Sequence, residues 1–316
     1  MDILFLNVGR RCELVQSFRE ALNKRGGGVI FGSDISPLAP GLQVVDYAEI
    51  FPKDGDKFKR HLVNYCITNA IELVIPTIDP DLCRLDDIRE ELDFCRLLIP
   101  PSFTIKHCRD KRLTKQLLRK LGVPVPRDVG AVFVKPFDGS AGVGARILPD
   151  TANDSLIVEE YIEGPEYTVD VLCDFSGKAL IAIPRRRIKV RGGEAVQAII
   201  ERNRELEDMS MRIAEGFKAE GPITIQFIRR DETFYVIEVN ARMGGGLPLT
   251  IVAGADWPGW IIDMCEGKKP EITDNITDGL AMTRHDSSFF ILGEHYEFAQ
   301  STGRFPYTYY RSHQDN

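Results

Sequence analysis

The feature that most restricts the fold is an alternation confined to the first hundred residues. Apolar runs of strand length, Asp2–Val8, Val29–Asp34, Glu72–Thr77 and Arg96–Ile99, alternate with segments whose apolar residues recur at helical spacing. One helical segment runs Cys12–Lys24, with Leu14, Phe18, Ala21 and Leu22 on one face. Another runs Phe58–Asn69, with Phe58, Leu62, Tyr65 and Cys66 in register, and a third, shorter one is expected at Asp86–Leu92. Runs that are apolar throughout are buried on both faces, so this order predicts a parallel, doubly wound sheet.

The character then changes. Lys106–Leu121 reads as a helix, closed by Gly122 and stopped by Pro124 and Pro126. Beyond it come short β-branched runs, Ala131–Lys135, Leu156–Glu160, Tyr167–Cys173 and Ala179–Ile183, which suit antiparallel strands. A helix follows at Asn203–Lys218. The strands Ile223–Arg229 and Thr233–Val239 then flank a turn at Arg230-Asp231-Glu232, and Trp257–Cys265 reads as a further helix. The fold class expected is therefore α/β, an N-terminal doubly wound parallel-sheet domain followed by an α+β domain. A length of 316 residues supports two such cores.

Charge and cysteine usage exclude several roles. The net charge is −7, which argues against a nucleic-acid partner. No apolar run reaches the roughly 20 residues of a membrane span. Met1–Val8 carries Asp2 and no basic flank, so it reads as a buried strand and not as a leader. Seven scattered cysteines without a C-x-x-C pair fit reduced thiols and a cytoplasmic location, and they oppose a zinc site.

Four patterns carry chemistry. Val134-Lys135-Pro136 precedes a glycine loop, Asp138-Gly139-Ser140-Ala141-Gly142-Val143-Gly144, which reads either as a flexible hairpin or as a phosphate cradle with Lys135 as point charge. Leu156–Glu166 runs from an apolar strand into a turn ending at Glu166, either a solvated turn or a hinge presenting backbone groups to a base. In Tyr235–Arg242, strand alternation puts Glu238, Asn240 and Arg242 on one face, with Gln226 available from the paired strand. Their oxygens are hard ligands suited to a magnesium ion on phosphates, and Arg242 could neutralise transferring charge. The basic run Arg185–Arg191 is either a charged sheet edge or an anion-binding wall.

In this order the segments resemble the ATP-grasp superfamily, in the branch of the carbamoyl phosphate synthase large subunit. Asp110-Lys111 with Thr114, Leu121-Gly122-Val123-Pro124, the Lys135 strand and glycine loop, the Val158–Glu166 hinge and Glu238-Val239-Asn240-Ala241-Arg242 carry the likeness. The resemblance implies a pre-ATP-grasp domain at 1–103, an ATP-grasp domain at 104–290 and a C-terminal extension at 291–316. It implies a small lid at about 128–166, reduced because few residues separate Pro126 from the Lys135 strand.

The resemblance also implies roles. Lys111, Lys135, Ser140 and Gly142 would contact phosphates, Glu159, Tyr161 and Ile162 adenine, and Glu166 ribose. Gln226, Glu238 and Asn240 would bind magnesium, with manganese as an alternative, and Arg242 and Lys135 would act in catalysis. Gly9, Arg10, Arg185, Arg187 and Arg191 would face the substrate. The implied activity is ATP-dependent joining of a small-molecule carboxylate to an amine or related nucleophile through an acyl phosphate; a homodimer is expected only because dimers are the commonest assembly. The rivals are a kinase that stops at phosphorylation and a nucleotide sensor without catalysis. The family's N-terminal domain is not a nicotinamide site here, because Asn7-Val8-Gly9-Arg10-Arg11 lacks G-x-G-x-x-G.

Overall fold

The computed structural model describes residues 1–128, 132–136, 146–148 and 156–303. Its Cα framework divides into two compact units, Met1–Leu98 with the chain from Asp286 onward, and Ile99–His285.

The first unit contains β1 (Ile3–Leu6), α1 (Cys12–Asn23), β2 (Ile30–Asp34), β3 (Tyr47–Ile50), α2 (Gly55–Thr68), β4 (Leu73–Pro76), α3 (Asp79–Asp86) and β5 (Arg96–Leu97). The sheet order is β3-β2-β1-β4-β5, and every pair is parallel. β1, β2 and β4 are buried at every position, and β1 and β4 accordingly read as apolar runs, whereas β2 ends on the buried polar Ser33 and Asp34. α1 covers them with Leu14, Val15, Phe18, Ala21 and Leu22, and the rings of Phe5 and Phe18 meet edge to face at 5.3 Å. Each such side chain contributes about 1.5–3 kcal/mol when fully buried.

The winding reverses at β1. β2 and β3 lie on one side of it and β4 and β5 on the other, so the loops after β1 and β4 flank a topological switch point, where open α/β sheets bind ligands. Asn7 and Gly9 adopt left-handed φ values of 47° and 52° in the first of these loops. Asn7 Nδ2 donates to Asp81 Oδ2 at 2.6 Å, Thr77 Oγ1 donates to the Asn7 carbonyl at 2.5 Å, and the Gly9 N–H donates to Asp34 Oδ2 at 2.8 Å.

Two elements depart from the sequence reading. β3 is a half-exposed edge strand with no apolar run to announce it. The short helix lies at Asp79–Asp86 and not at Asp86–Leu92, where there is only a 3₁₀ turn. Pro80 in its first turn and the acids Asp79 and Asp81 favour a helix start there.

The second unit begins with α4 (Ser102–Arg109) and α5 (Lys111–Lys120). The single helix expected at Lys106–Leu121 is broken at Asp110, which is extended and caps α5 by accepting from the Arg112 N–H. β6 (Val132–Pro136), β7 (Arg146–Leu148) and β8 (Leu156–Glu160) form a sheet in the order β7-β6-β8. β9 (Glu166–Cys173), β10 (Ala179–Arg191), β11 (Glu194–Ile200), α6 (Arg204–Gly216), β12 (Gly221–Arg230) and β13 (Thr233–Asn240) follow. The unit ends with α7 (Leu247–Val252), α8 (Trp257–Cys265) and β14 (Ala281–Thr283).

The larger antiparallel sheet has the order β13-β12-β9-β10-β11-β14. Val169, Val171, Ile223, Ile225, Phe227 and Val239 pack from it into one core with Leu206, Ile213 and Phe217 at α6 and Leu118 of α5. Strand alternation then sends the polar residues to the opposite face. The C-terminal helix α9 (Gly293–Thr302) belongs to the first unit, where the Ile50 N–H donates to the Gly303 carbonyl at 2.7 Å. Among the described residues no helix is long and apolar enough to cross a membrane.

Candidate functional site

Register builds the site. Arg185 of β10 stands opposite Thr168, which stands opposite Gln226, which stands opposite Glu238. In the neighbouring row Asp170 faces Thr224, and Thr224 faces Asn240. Directly opposed residues share a face, so these side chains form one polar surface on the side away from α6.

A bulge interrupts the β12–β13 pairing. Gln226 pairs with Glu238 and Phe227 with Val236, which leaves Ile237 as the extra residue. The Ile237 carbonyl accepts from Lys135 Nζ at 3.2 Å. The bulge thus supplies the acceptor that fastens the lysine of β6 beside Glu238.

One connected network runs through the site. Lys111 Nζ lies 3.8 Å from Glu238 Oε1, and Gln226 Nε2 donates to Glu238 Oε2 at 2.8 Å. Gln226 Oε1 accepts from Arg187 Nη1 at 2.9 Å, and that nitrogen also pairs with Glu166 Oε2 at 3.0 Å. On the other side Lys135 Nζ is 3.1 Å from Glu159 Oε2. Burial pushes the Lys135 ammonium below the usual lysine range; Glu159 opposes the shift and nearby Lys111 adds to it. Burial likewise lowers the Arg187 guanidinium, against the attraction of Glu166.

The predicted residues do not all come together. Lys111, Glu166, Arg187, Gln226 and Glu238 are joined by direct contacts, and Lys135 with Glu159 reaches them through the Ile237 carbonyl next to Glu238; Asn240 ends β13 and Arg242 lies just beyond it. Gly9 and Arg10 belong to the first unit, in the loop after β1. Ser140 and Gly142 lie outside the described residues. Tyr161 is half exposed and Ile162 is buried, so the hinge alternates between solvent and core.

Three expectations are revised by the geometry. Arg185 is 2% exposed, and its fork grips Asp170 at 3.0 and 2.7 Å, so it forms no part of an open basic wall. Glu159 is 4% exposed and its carboxylate is held by lysines, so its side chain has no face turned outward to a base. Gln226 turns its amide nitrogen toward Glu238, and its oxygen, expected to face a metal, accepts from Arg187. Arg191 lies exposed at the end of the β10–β11 hairpin.

The sequence reading missed three residues. Lys115 is 6% exposed, with its Nζ 3.4 Å from Glu159 Oε1 and a short contact to Asp128. It follows Lys111 by one helical turn, and that i, i+4 spacing was the available signal. Asp170 accepts from Arg185 and from Thr250 Oγ1 at 2.8 Å. Arg284 donates from Nη2 to the Gly245 carbonyl at 2.6 Å, which ties down the glycine loop after β13.

The donor set fits a hard cation. Glu238 and Asn240 offer a carboxylate and an amide oxygen, and magnesium is commonly held by one or two carboxylates plus substrate phosphates. Among the described residues no group of three or more His, Cys, Asp or Glu could hold a metal without such help.

Residues 152–287 match the family described as ATP-grasp in the biosynthetic pathway with Ter operon, and residues 3–95 match the PylC-like N-terminal domain. Residues 152–287 thus resemble an ATP-grasp domain. The chain is 26% identical over 249 residues to the 3-methyl-D-ornithine–L-lysine ligase of Methanosarcina barkeri, covering 75% of this chain and 67% of that ligase. In the ligases of the same name from Methanosarcina acetivorans and Methanosarcina mazei the match spans 53% and 65% of their length.

Among solved ATP-grasp structures, the biotin carboxylase domain of Hydrogenobacter thermophilus 2-oxoglutarate carboxylase, in complex with MgADP and bicarbonate, superposes with a TM-score of 0.72. It is 18% identical and covers 89% of this chain and 73% of its own. The L-amino acid ligase from Bacillus licheniformis gives 0.63 at 19% identity, over 84% of this chain and 74% of its own. At these identities the two structures share the ATP-grasp fold.

Proposed function

We propose that this protein is an ATP-grasp enzyme, an ATP-dependent ligase that joins a small-molecule carboxylate to an amine. The observation that carries the reading is the convergence of two lysines on one stretch of β13, Lys111 of α5 on the Glu238 carboxylate and Lys135 of β6 on the adjoining Ile237 carbonyl. That pattern puts cations on one side of a triphosphate and hard oxygens on the other. The sequence likeness to lysine ligases supports the carbon–nitrogen bond, and the amino-acid chemistry of those relatives suggests amino acids as substrates.

In this reading a carboxylate oxygen attacks the γ-phosphorus of ATP, the bond to the bridging oxygen breaks, and ADP leaves. The amine nitrogen then attacks the acyl carbon, phosphate departs, and the nitrogen loses a proton to give an amide. Glu238 and Asn240 would hold magnesium, which when bound supplies charge neutralisation to the phosphates. Lys111 and Lys135 neutralise the phosphate chain, and Arg242 faces the charge that develops on the transferring group. Positioning and charge account for most of the acceleration in such transfers. Arg187 and Arg191 are the proposed substrate contacts of the second unit. A homodimer in the cytoplasm completes the proposal.

The test is a panel of amino-acid pairs scored for ADP, free phosphate and a condensed product. Glu238→Ala is expected to lower turnover at least about a hundredfold with an unchanged circular dichroism spectrum. Near wild-type ATP consumption by that variant, with its substrates present, would remove the assigned site.

A further inference from the structure

Lys115, Glu159 and Lys135 form a buried row of alternating charge. Lys115 is 6% exposed, Glu159 4% and Lys135 7%. The Glu159 carboxylate is divided between them, Oε1 toward Lys115 at 3.4 Å and Oε2 toward Lys135 at 3.1 Å. Lys115 is itself clasped to Asp128, which Arg119 also holds. One carboxylate therefore has two counter-ions, although a single lysine would neutralise it.

The redundancy has a physical use if Lys135 is needed elsewhere. A buried carboxylate that loses its only partner is an uncompensated charge, and breaking such a pair is strongly unfavourable. We propose that Lys115 is a positioning residue that keeps Glu159 neutralised while Lys135 turns to the phosphates of a bound nucleotide. Lys115 acts through Glu159 and touches no phosphate. Without nucleotide, Glu159 holds Lys135 ready at the bulge carbonyl of Ile237; with nucleotide, Glu159 falls back on Lys115. The inference rests on the proposed nucleotide site and adds to it a residue that the family motifs do not contain.

The experiment measures ATP affinity by calorimetry for wild type, Lys115→Met, Lys115→Arg, Glu159→Gln and the Lys115→Met/Glu159→Gln double variant, each first checked for cooperative thermal unfolding. Lys115→Met is expected to weaken ATP binding at least about tenfold, and Lys115→Arg to stay within about threefold of wild type. The double variant, in which no carboxylate is left stranded, is expected to recover to within about threefold of wild type. The Lys115→Met loss should persist in about 0.5 M salt, where the long-range pull of a distant charge is screened but a buried pair is not.

Wild-type affinity in Lys115→Met, no recovery in the double variant, or a loss that disappears in salt would each overturn the role of Lys115 and leave the nucleotide site standing. A wild-type protein that binds no ATP would overturn the site itself and this inference with it.

Discussion

Asp81 is fully buried beneath the loop after β1, with Asn7 on one carboxylate oxygen and Arg84 on the other at 3.2 Å. Burial raises its pKa to about 6, against the pull of those two partners and with a small push from Asp34. The folded state therefore holds a proton that the unfolded chain releases from about pH 4 upward. Stability from this residue is fully present below the unfolded value and is lost as pH rises through about 6. Two pKa units correspond to about 3 kcal/mol. Amide exchange at β1 and β4 should show the first unit losing protection from about pH 4 to 6.5, and Asp81→Asn should flatten that slope. An equal slope in the variant would mean that some other group titrates there. Its burial assigns Asp81 to holding the Asn7 turn from below.

At the scale of elements, the glycine run after β13 is built on a buried guanidinium. A Cβ on Gly246 would lie 1.9 Å from Arg185 Nη1, and one on Gly244 would lie 3.2 Å from Nη2. The glycines are therefore required by Arg185, which packs under the loop from β10. Asp170 of β9 fixes Arg185, and Thr250 of α7 donates to the same carboxylate. Asp170→Ala leaves a buried cation without its partner, and the expected loss is about 3–5 kcal/mol in urea unfolding of the second unit. A loss below about 1 kcal/mol would mean that the loop holds Arg185 without Asp170.

How far these elements could be read in advance follows from what each one buries. β1 and β4 were legible because burial on both faces makes them apolar throughout, and the β12–β13 hairpin because its two faces differ. β3 was not, since a half-exposed edge has no such pattern. The Arg185–Arg191 run was ambiguous for a related reason: alternation and bulges send consecutive basic residues to different surroundings, and only pairing reveals which. The Glu238 and Asn240 face was readable from period two alone, whereas the Ile237 bulge and the Lys115 pairing depend on contacts between distant strands and helices.

For the whole molecule, the order of segments carried more than any single motif, because the site draws on α5, β6, β8, β9, β10, β12 and β13 together. No one of these is chemically sufficient: Lys135 with Glu159 alone is a buried ion pair, and Glu238 without the lysines is an acid on a sheet. What the assembly can do is stabilise charge on a phosphoryl group in flight, and the identity of the product depends on what happens next. A ligase passes an activated acyl group to a nitrogen nucleophile, whereas a kinase that phosphorylates a hydroxyl leaves a stable phosphate ester that no amine displaces. Hydroxylamine, small and strongly nucleophilic, distinguishes the two when it replaces the amine. With the carboxylate substrate, ATP and magnesium present, the protein should convert hydroxylamine to the corresponding hydroxamate, one per ADP formed, detected by mass. Glu238→Ala should lower ADP and hydroxamate together by at least about a hundredfold, since both follow from one phosphoryl transfer. ADP formation with a stable phosphorylated product and no hydroxamate would make the chain a kinase and remove the ligase reading while keeping the nucleotide site.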